Sequence, residues 1–157
     1  MSMSEFMKSK GLCVEYYNYV YINTSTQYRY RSNYPFADVS YTDIFDLYRR
    51  GVINGVEDKI FHPYGTLTRE QAAVIVRNLA RTIGLDTAAA AHAYADDAAI
   101  SDWAKTGVAF VTDRGLMGGV GGNRFAPKDT LSHEQAYIIM DRLLTLAERQ
   151  GGRAEIR

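Results

Sequence analysis

The residue of clearest chemical interest is Arg69, which follows Thr68 at the predicted start of a helix. A cation there opposes the positive end of the helix dipole, at a cost of about 0.3–1 kcal/mol, so helix formation does not explain its presence. The dipole, free N–H groups of the first turn and a guanidinium would together favour a carboxylate or phosphate. The sequence therefore predicts anion binding at Arg69. The alternatives are an ion pair with a nearby acid such as Asp38, or a solvated side chain.

The segment around Arg69 occurs twice in the chain. Residues 66–72, Thr-Leu-Thr-Arg-Glu-Gln-Ala, return 64 positions later as Thr-Leu-Ser-His-Glu-Gln-Ala. Between residues 51–79 and 115–143, twelve of 29 positions are identical without a gap, which identifies an internal repeat. The second copy has His133 at the arginine position, and imidazole is a weaker, pH-dependent cation. We expect weaker anion binding at His133, or a purely structural histidine.

Four helices are predicted, at about 42–50, 69–83, 102–114 and 133–149, from apolar residues at helical spacing and from their caps. The second and fourth begin with capping boxes, at residues 68–71 and 132–135. Ser101 is predicted to cap the third helix. Each repeat is thus a helix, a glycine-bounded loop and a capped amphipathic helix. One such unit leaves an apolar stripe unpaired, so we expect the two long helices to pack together.

These elements predict a mainly α fold, in which tandem helix–loop–helix repeats form a pseudo-symmetric helical bundle. Residues 36–84 make the first repeat, 85–93 an alanine-rich connector with a short helical turn, and 94–150 the second repeat. Residues 151–157 are a frayed tail. Residues 1–35 contain seven of the twelve tyrosines and form a β-like segment, interpreted as a β-hairpin or as the remnant of a preceding domain.

Composition and motifs argue against several classes of function. The chain has 18 basic and 18 acidic side chains, so it lacks the basic surplus typical of nucleic-acid binding. It has no apolar run long enough for membrane insertion. No nucleophile–base–acid set indicates an enzyme. His62 and His92 lack companion ligands, so neither a metal nor another cofactor is predicted. The N-terminus has no signal-peptide pattern, so we expect either a fragment of a longer secreted chain or a protein that is not exported by that route.

Taken together, the motifs resemble a known family, the S-layer homology repeat. Phe-Ala-Asp-Val at 36–39, the glycine pair of the loop, Phe-x-Pro at 61–63 and Leu-Thr-Arg-Glu at 67–70 are similar to the family pattern, whose hallmark is Ile-Thr-Arg-Ala-Glu. The resemblance covers roughly residues 36–83 and 94–147. The chain departs from the family in having two repeats rather than three, in His133, and in lacking a counterpart of Trp103 in the first repeat.

The resemblance implies a non-catalytic module that binds pyruvylated secondary cell-wall polysaccharide in grooves between repeats, and so anchors a protein or assembly at an extracellular bacterial surface. Trp103 would stack on a sugar, or else anchor its helix in the core. Asp38 and Asp96 would accept sugar hydroxyls, or else cap helices. An arginine that only binds ligand should be replaceable by alanine with little change in stability. The predicted ligand-binding residues are Arg69, Thr68, Asp38, Gly55, Trp103, Asp96, His133 and Ser132.

Two other functions stay open. The fold could be a structural or oligomerisation module of a virion or surface appendage, with glycan binding lost and either a homo-oligomer or a third repeat supplied by another chain. It could also be the targeting fragment of a wall hydrolase whose catalytic part lies outside this chain.

Overall fold

The computed structural model describes residues 35–39 and 41–150. All of these residues except Pro35 belong to one compact unit, which begins at Phe36. The described part contains four α-helices: α1 (Thr42–Arg49), α2 (Arg69–Thr82), α3 (Lys105–Asp113) and α4 (His133–Arg149). Two short 3₁₀ turns, Asp97–Ala99 and Asp102–Ala104, precede α3. These residues form no strand, which confirms the mainly helical fold. The predicted β-like segment and frayed tail lie outside the described residues.

The long helices start where their capping boxes predict. Thr68 accepts a hydrogen bond from the Gln71 amide at 3.3 Å, and the Gln71 side chain accepts one from the Thr68 amide at 2.9 Å. Ser132 and Gln135 repeat this arrangement at the start of α4. The predicted cap at Ser101 is wrong, because α3 begins only at Lys105, after a 3₁₀ turn that Ser101 does not cap. The connector forms no helical turn either.

The partner of α2 is mainly α3, the first helix of the second repeat, and only secondarily α4. The two long helices do contact each other, as expected, but that contact is smaller than the one between α2 and α3. Gly107 explains the preference: a Cβ at this position would lie 2.9 Å from the Val74 nitrogen and 3.0 Å from the Ala73 carbonyl carbon. Glycine thus lets the backbones of α2 and α3 approach more closely than any other residue would.

The principal core runs from α2 to α4 and contains nothing from the first half of repeat 1. Its fully buried members include Phe110, Leu116 and Phe125, and it extends from Ala73 to Ala147. By contrast, α1 has no buried residue. At the repeat offset of 64, Asp43 and Asp46 of α1 occupy the positions of Gly107 and Phe110, so α1 lacks both the close-approach residue and the large apolar side chain. The two repeats are similar in sequence and unequal in burial.

Candidate functional site

The start of α2 lies against the second repeat along a short antiparallel contact. Leu131 donates its amide to the Leu67 carbonyl at 2.8 Å, Arg69 to the Asp129 carbonyl at 2.9 Å, and Glu70 to the Pro127 carbonyl at 3.0 Å. With the Thr68 cap, the first three amides of α2 are therefore all satisfied. The prediction of free N–H groups for an anion at this helix start is wrong, because the neighbouring repeat uses them.

The Arg69 side chain is buried at this junction, with only 6% of the residue exposed. Its Nε donates to the Phe125 carbonyl at 2.9 Å and its Nη2 to the Gly118 carbonyl at 2.6 Å. The guanidinium also lies 4.9 Å from the centre of the Phe125 ring, within cation–π range. Burial lowers the pKa of Arg69 below its usual value, and the nearby Asp129 and Asp96 oppose that effect. Neither alternative raised from the sequence, an Asp38 pair or a solvated side chain, is correct.

Glu70 is buried beside it, at 3% exposure, and joins the same two repeats. Its carboxylate accepts from the Ser101 amide at 3.0 Å and the Ser101 hydroxyl at 3.1 Å. Lys128, whose side chain is 57% exposed, donates to the same carboxylate and to the Ser101 hydroxyl. A charged group from each repeat thus closes the junction, and the Lys128 ammonium is its solvent-facing member.

Asp38 and Asp96 each hold a loop of their own repeat. Asp38 accepts from the Phe61 and His62 amides at 2.9 and 2.7 Å, and Asp96 accepts from the Phe125 and Ala126 amides at 2.8 Å each. The hydrogen bond from Phe61 is the largest influence that lowers the pKa of Asp38. Burial acts to raise the pKa of Asp96, but the two amide bonds outweigh it and the pKa is lowered. Neither acid caps a helix.

The remaining predicted residues fall into three places. Trp103 is 56% exposed, so the alternative that it anchors its helix in the core is wrong. Ser132 and His133 are exposed at the start of α4, where Ser132 forms its cap. Gly55 has φ of +80°, and a Cβ there would lie 2.6 Å from the Phe36 ring and from a backbone oxygen. Glycine is therefore required by the loop itself.

The structure brings only part of the predicted site together. Thr68, Arg69 and Asp96 meet at the junction, and Trp103 follows two residues after Ser101 of the same network. Asp38 and Gly55 belong to the separate loop of the first repeat. Lys128 and Ser101 were not among the predicted ligand-binding residues. Lys128 joins Glu70 across 58 positions of sequence, a separation over which no local pattern gives a signal.

Among residues 35–39 and 41–150, no three His, Cys, Asp or Glu side chains are grouped so as to hold a metal ion. Within the same ranges, no helix has the length and apolar character needed to cross a bilayer. The polar groups at the junction are instead occupied with one another and with backbone carbonyls. This arrangement defines a class: a module of tandem helical repeats that are linked head to tail.

Comparison with known proteins identifies the family. The profile of the S-layer homology domain matches residues 36–73 and 93–136, together more than half of the chain. The chain belongs to the S-layer homology domain family and contains two of its repeats. Domains of this family are non-catalytic modules that anchor proteins to the cell surface and generally bind secondary cell-wall polysaccharides.

Three similar proteins are polysaccharide-degrading enzymes by name. The chain is 30% identical to an endoglucanase of Bacillus sp. (strain KSM-635) over 74% of its own length, and 33% identical to the exoglucanase XynX of Acetivibrio thermocellus over 71%. It is 31% identical to an amylopullulanase of Thermoanaerobacterium thermosulfurigenes over 62%. The matched regions span 13%, 11% and 5% of these relatives, so the likeness concerns a small part of each.

Proposed function

We propose that this chain anchors a larger protein or assembly to a bacterial cell surface by binding an acidic secondary cell-wall polysaccharide, with a pyruvate ketal as the recognised group. The observation that carries the proposal is the exposed Trp103, two residues from Ser101, whose hydroxyl accepts from Lys128. A tryptophan face suits stacking on a sugar ring. An ammonium with more than half of its side chain exposed suits a carboxylate.

In this proposal Arg69, Thr68 and Asp96 have an indirect part. Arg69 and Asp96 hold the Phe125 carbonyl and amide, and so fix the loop that carries Lys128. Because its amide, its Nε and its Nη2 each donate to a carbonyl of the second repeat, Arg69 would act on ligand binding mainly by keeping that loop in place. We place Ser132 and His133 at the margin of the binding surface, and we assign Asp38 and Gly55 to the integrity of the first-repeat loop.

The test is a pull-down of the purified chain on cell-wall sacculi with and without pyruvyl groups. We expect binding to the pyruvylated sacculi only, reduced about tenfold in Trp103→Ala and in Lys128→Gln, as for the loss of one strong contact each. Tyr64→Ala is the matched control, because Tyr64 occupies the Lys128 position in the first repeat and is 93% exposed. Equal binding to both kinds of sacculi, or to neither, would reject recognition of the ketal.

A second candidate function is assembly with a further repeat. In α4 the His133 and Glu134 amides, which correspond to the paired amides of α2, contact no other segment of the described chain. A second copy of the chain is a poor complement, since Tyr64 stands where the junction requires Lys128. A repeat from a different polypeptide, as in a virion or a surface appendage, would fit. Light scattering after size exclusion tests the kind of partner: a monomer that ignores wall polymer would agree with a repeat from a different polypeptide, whereas a stable homo-oligomer would contradict that choice.

A further inference from the structure

An open cavity of about 450 Å³ lies on the side of the second repeat formed by the end of α3, the following loop and the C-terminal half of α4. That volume is within the usual range for sites that hold a small molecule, about 300–1,000 Å³. Three arginines line it: Arg114 after α3, and Arg142 and Arg149 on α4. Arg142 and Arg149 are seven positions apart, two helical turns, so both project from one face of α4.

The positive charges around the cavity are only partly neutralised. Arg114 has Asp86 at 3.7 Å and Asp113 at 3.5 Å. Within residues 35–39 and 41–150, neither Arg142 nor Arg149 has an acid at ion-pair distance. Two guanidiniums that have no counter-ion among the described residues, beside one cavity, favour binding of an anion, and a planar guanidinium matches the geometry of a carboxylate or phosphate.

Two carbonyl groups of the loop wall of the cavity accept hydrogen bonds from arginines. Carbonyl oxygens that face an anion repel it, but those of this loop are engaged: Arg142 Nη1 donates to the Leu116 carbonyl at 3.2 Å, and Arg69 donates to the Gly118 carbonyl at 2.6 Å. The Nε of Arg114 is buried and forms no hydrogen bond in the described part of the chain, and the Asp113 carboxylate lies 3.5 Å from it.

The first repeat does not reproduce this cavity. At the repeat offset, Asn78 stands in place of Arg142 and donates to the Val52 carbonyl at 3.3 Å, so it retains the contact with the loop without the charge. Because α2 ends at Thr82, the first repeat also lacks the last turn of α4, which carries Arg149. Holding the loop therefore does not require an arginine. The pair Arg142 and Arg149 is therefore particular to the second repeat, whereas the Arg114 position is also an arginine, Arg50, in the first.

We propose that the cavity bounded by Arg114, Arg142 and Arg149 is an anion-binding site that takes a carboxylate- or phosphate-bearing sugar unit. This inference deepens the proposed function and rests on it, since an acidic wall polymer would present such groups. The site would bind an acidic group separately from the surface at Trp103 and Lys128, and a polymer with regularly spaced acidic units would engage both.

The test is titration of the ¹⁵N-labelled full chain at low ionic strength with two probes, inorganic phosphate and a methyl glycoside that carries a pyruvate ketal. We expect saturable chemical-shift changes at the amides of residues 115–118 for at least one probe. Arg149→Gln and Arg142→Gln should each weaken binding about tenfold, as for one charge-assisted hydrogen bond. Saturation by phosphate alone or by the glycoside alone identifies the source of the anion. Absence of shifts with both probes would overturn the proposal.

Arg81→Gln is the control, because Arg81 is an exposed arginine near the end of the corresponding helix α2 and should not change either titration. Dissociation constants for Arg149→Gln that match those of the parent would overturn the proposal, and this variant loses no hydrogen bond or ion pair that the structure shows within the described residues. The sacculus pull-down on the same variants separates the two proposals. If the parent and Arg149→Gln bind sacculi equally, the cavity proposal alone is overturned. If the probes still bind but the chain does not bind sacculi, the proposed function alone is overturned.

Discussion

Replacing Arg69 by alanine should destabilise the protein substantially, the reverse of what the sequence suggested for an arginine that only binds ligand. The substitution removes the donors of the Phe125 and Gly118 carbonyls and the cation–π contact with the Phe125 ring. Charge-assisted hydrogen bonds contribute about 1.5–3 kcal/mol each, and a cation–π contact about 0.5–2 kcal/mol. The two carbonyls would otherwise have to recruit water at a site where Arg69 is 6% exposed.

Two effects offset this loss. Alanine removes the conflict of a cation with the helix dipole, a gain of about 0.3–1 kcal/mol. It also removes the need to desolvate a guanidinium, which is the main reason that its pKa is lowered. We therefore expect the free energy of unfolding to fall by about 3 kcal/mol, toward the low end of the summed contributions. For a domain of this size the midpoint of thermal unfolding should fall by roughly 10 °C.

The assay is urea unfolding followed by far-UV circular dichroism, with calorimetry for the midpoint. His133→Ala is the matched control, because His133 holds the same position of the second repeat and is exposed, so its loss should change stability by less than about 0.5 kcal/mol. If Arg69→Ala cost less than about 1 kcal/mol, the junction would not depend on the guanidinium, and the indirect role proposed for Arg69 would fail.

Three further predictions concern Glu70, the two aspartates that hold the loops, and Gly107. Glu70→Gln should cost about 2 kcal/mol in chemical denaturation, because it removes the charge of a buried carboxylate that accepts three hydrogen bonds and replaces one of its two oxygens by a donor. The exposed Glu134→Gln should be nearly neutral, and equal effects would contradict the assignment. Asp38 and Asp96 have folded pKa values below the ordinary 3.8. Between the folded and the ordinary pKa, the unfolded chain therefore binds more protons than the folded chain. The stability that these two carboxylates contribute is present above pH 3.8 and is lost as the pH falls through their folded pKa. Acid titration of the double variant Asp38→Asn, Asp96→Asn should therefore show a flatter loss of stability than that of the parent. Gly107→Ala should destabilise by about 1–3 kcal/mol although alanine is the better helix former by about 1 kcal/mol, because its Cβ would lie 2.9 Å from a backbone nitrogen of α2; a more stable variant would show that the helices separate at no cost.

The sequence predicted the helices well because their signals are local. The capping boxes at Thr68 and Ser132 and the apolar spacing that follows lie within a few residues of each other, and α4 was placed at its observed ends. Ser101 shows the limit of such signals. Its sequence fits a helix cap, but its hydroxyl is taken by Glu70, 31 positions away, and the helix begins later. Tertiary contacts decided between two roles for which the residue was equally suited.

The binding site was less predictable, because burial is not a property of a motif. Arg69 and His133 share a repeat position, yet one is buried between the repeats and the other is exposed at an outer edge. Only the three-dimensional order of the repeats makes that distinction. Trp103 shows the same difficulty in the opposite direction, since a single tryptophan in a helical segment gives no sign of whether it faces the core or solvent.

The close crossing of α2 and α3 at Gly107 has a consequence for how this chain can be divided. Most of the core begins at Ala73, in the second half of the first sequence repeat, and continues through the second repeat. The packed core is therefore displaced by half a repeat from the unit that repeats in the sequence. A chimaera joined within the connector 85–93 would separate α2 from α3, the helix on which it packs. A circular permutant opened within the same connector would still contain both helices. Module exchange should instead use junctions in the loop between Gly51 and Thr66, ahead of the helix that the next repeat needs.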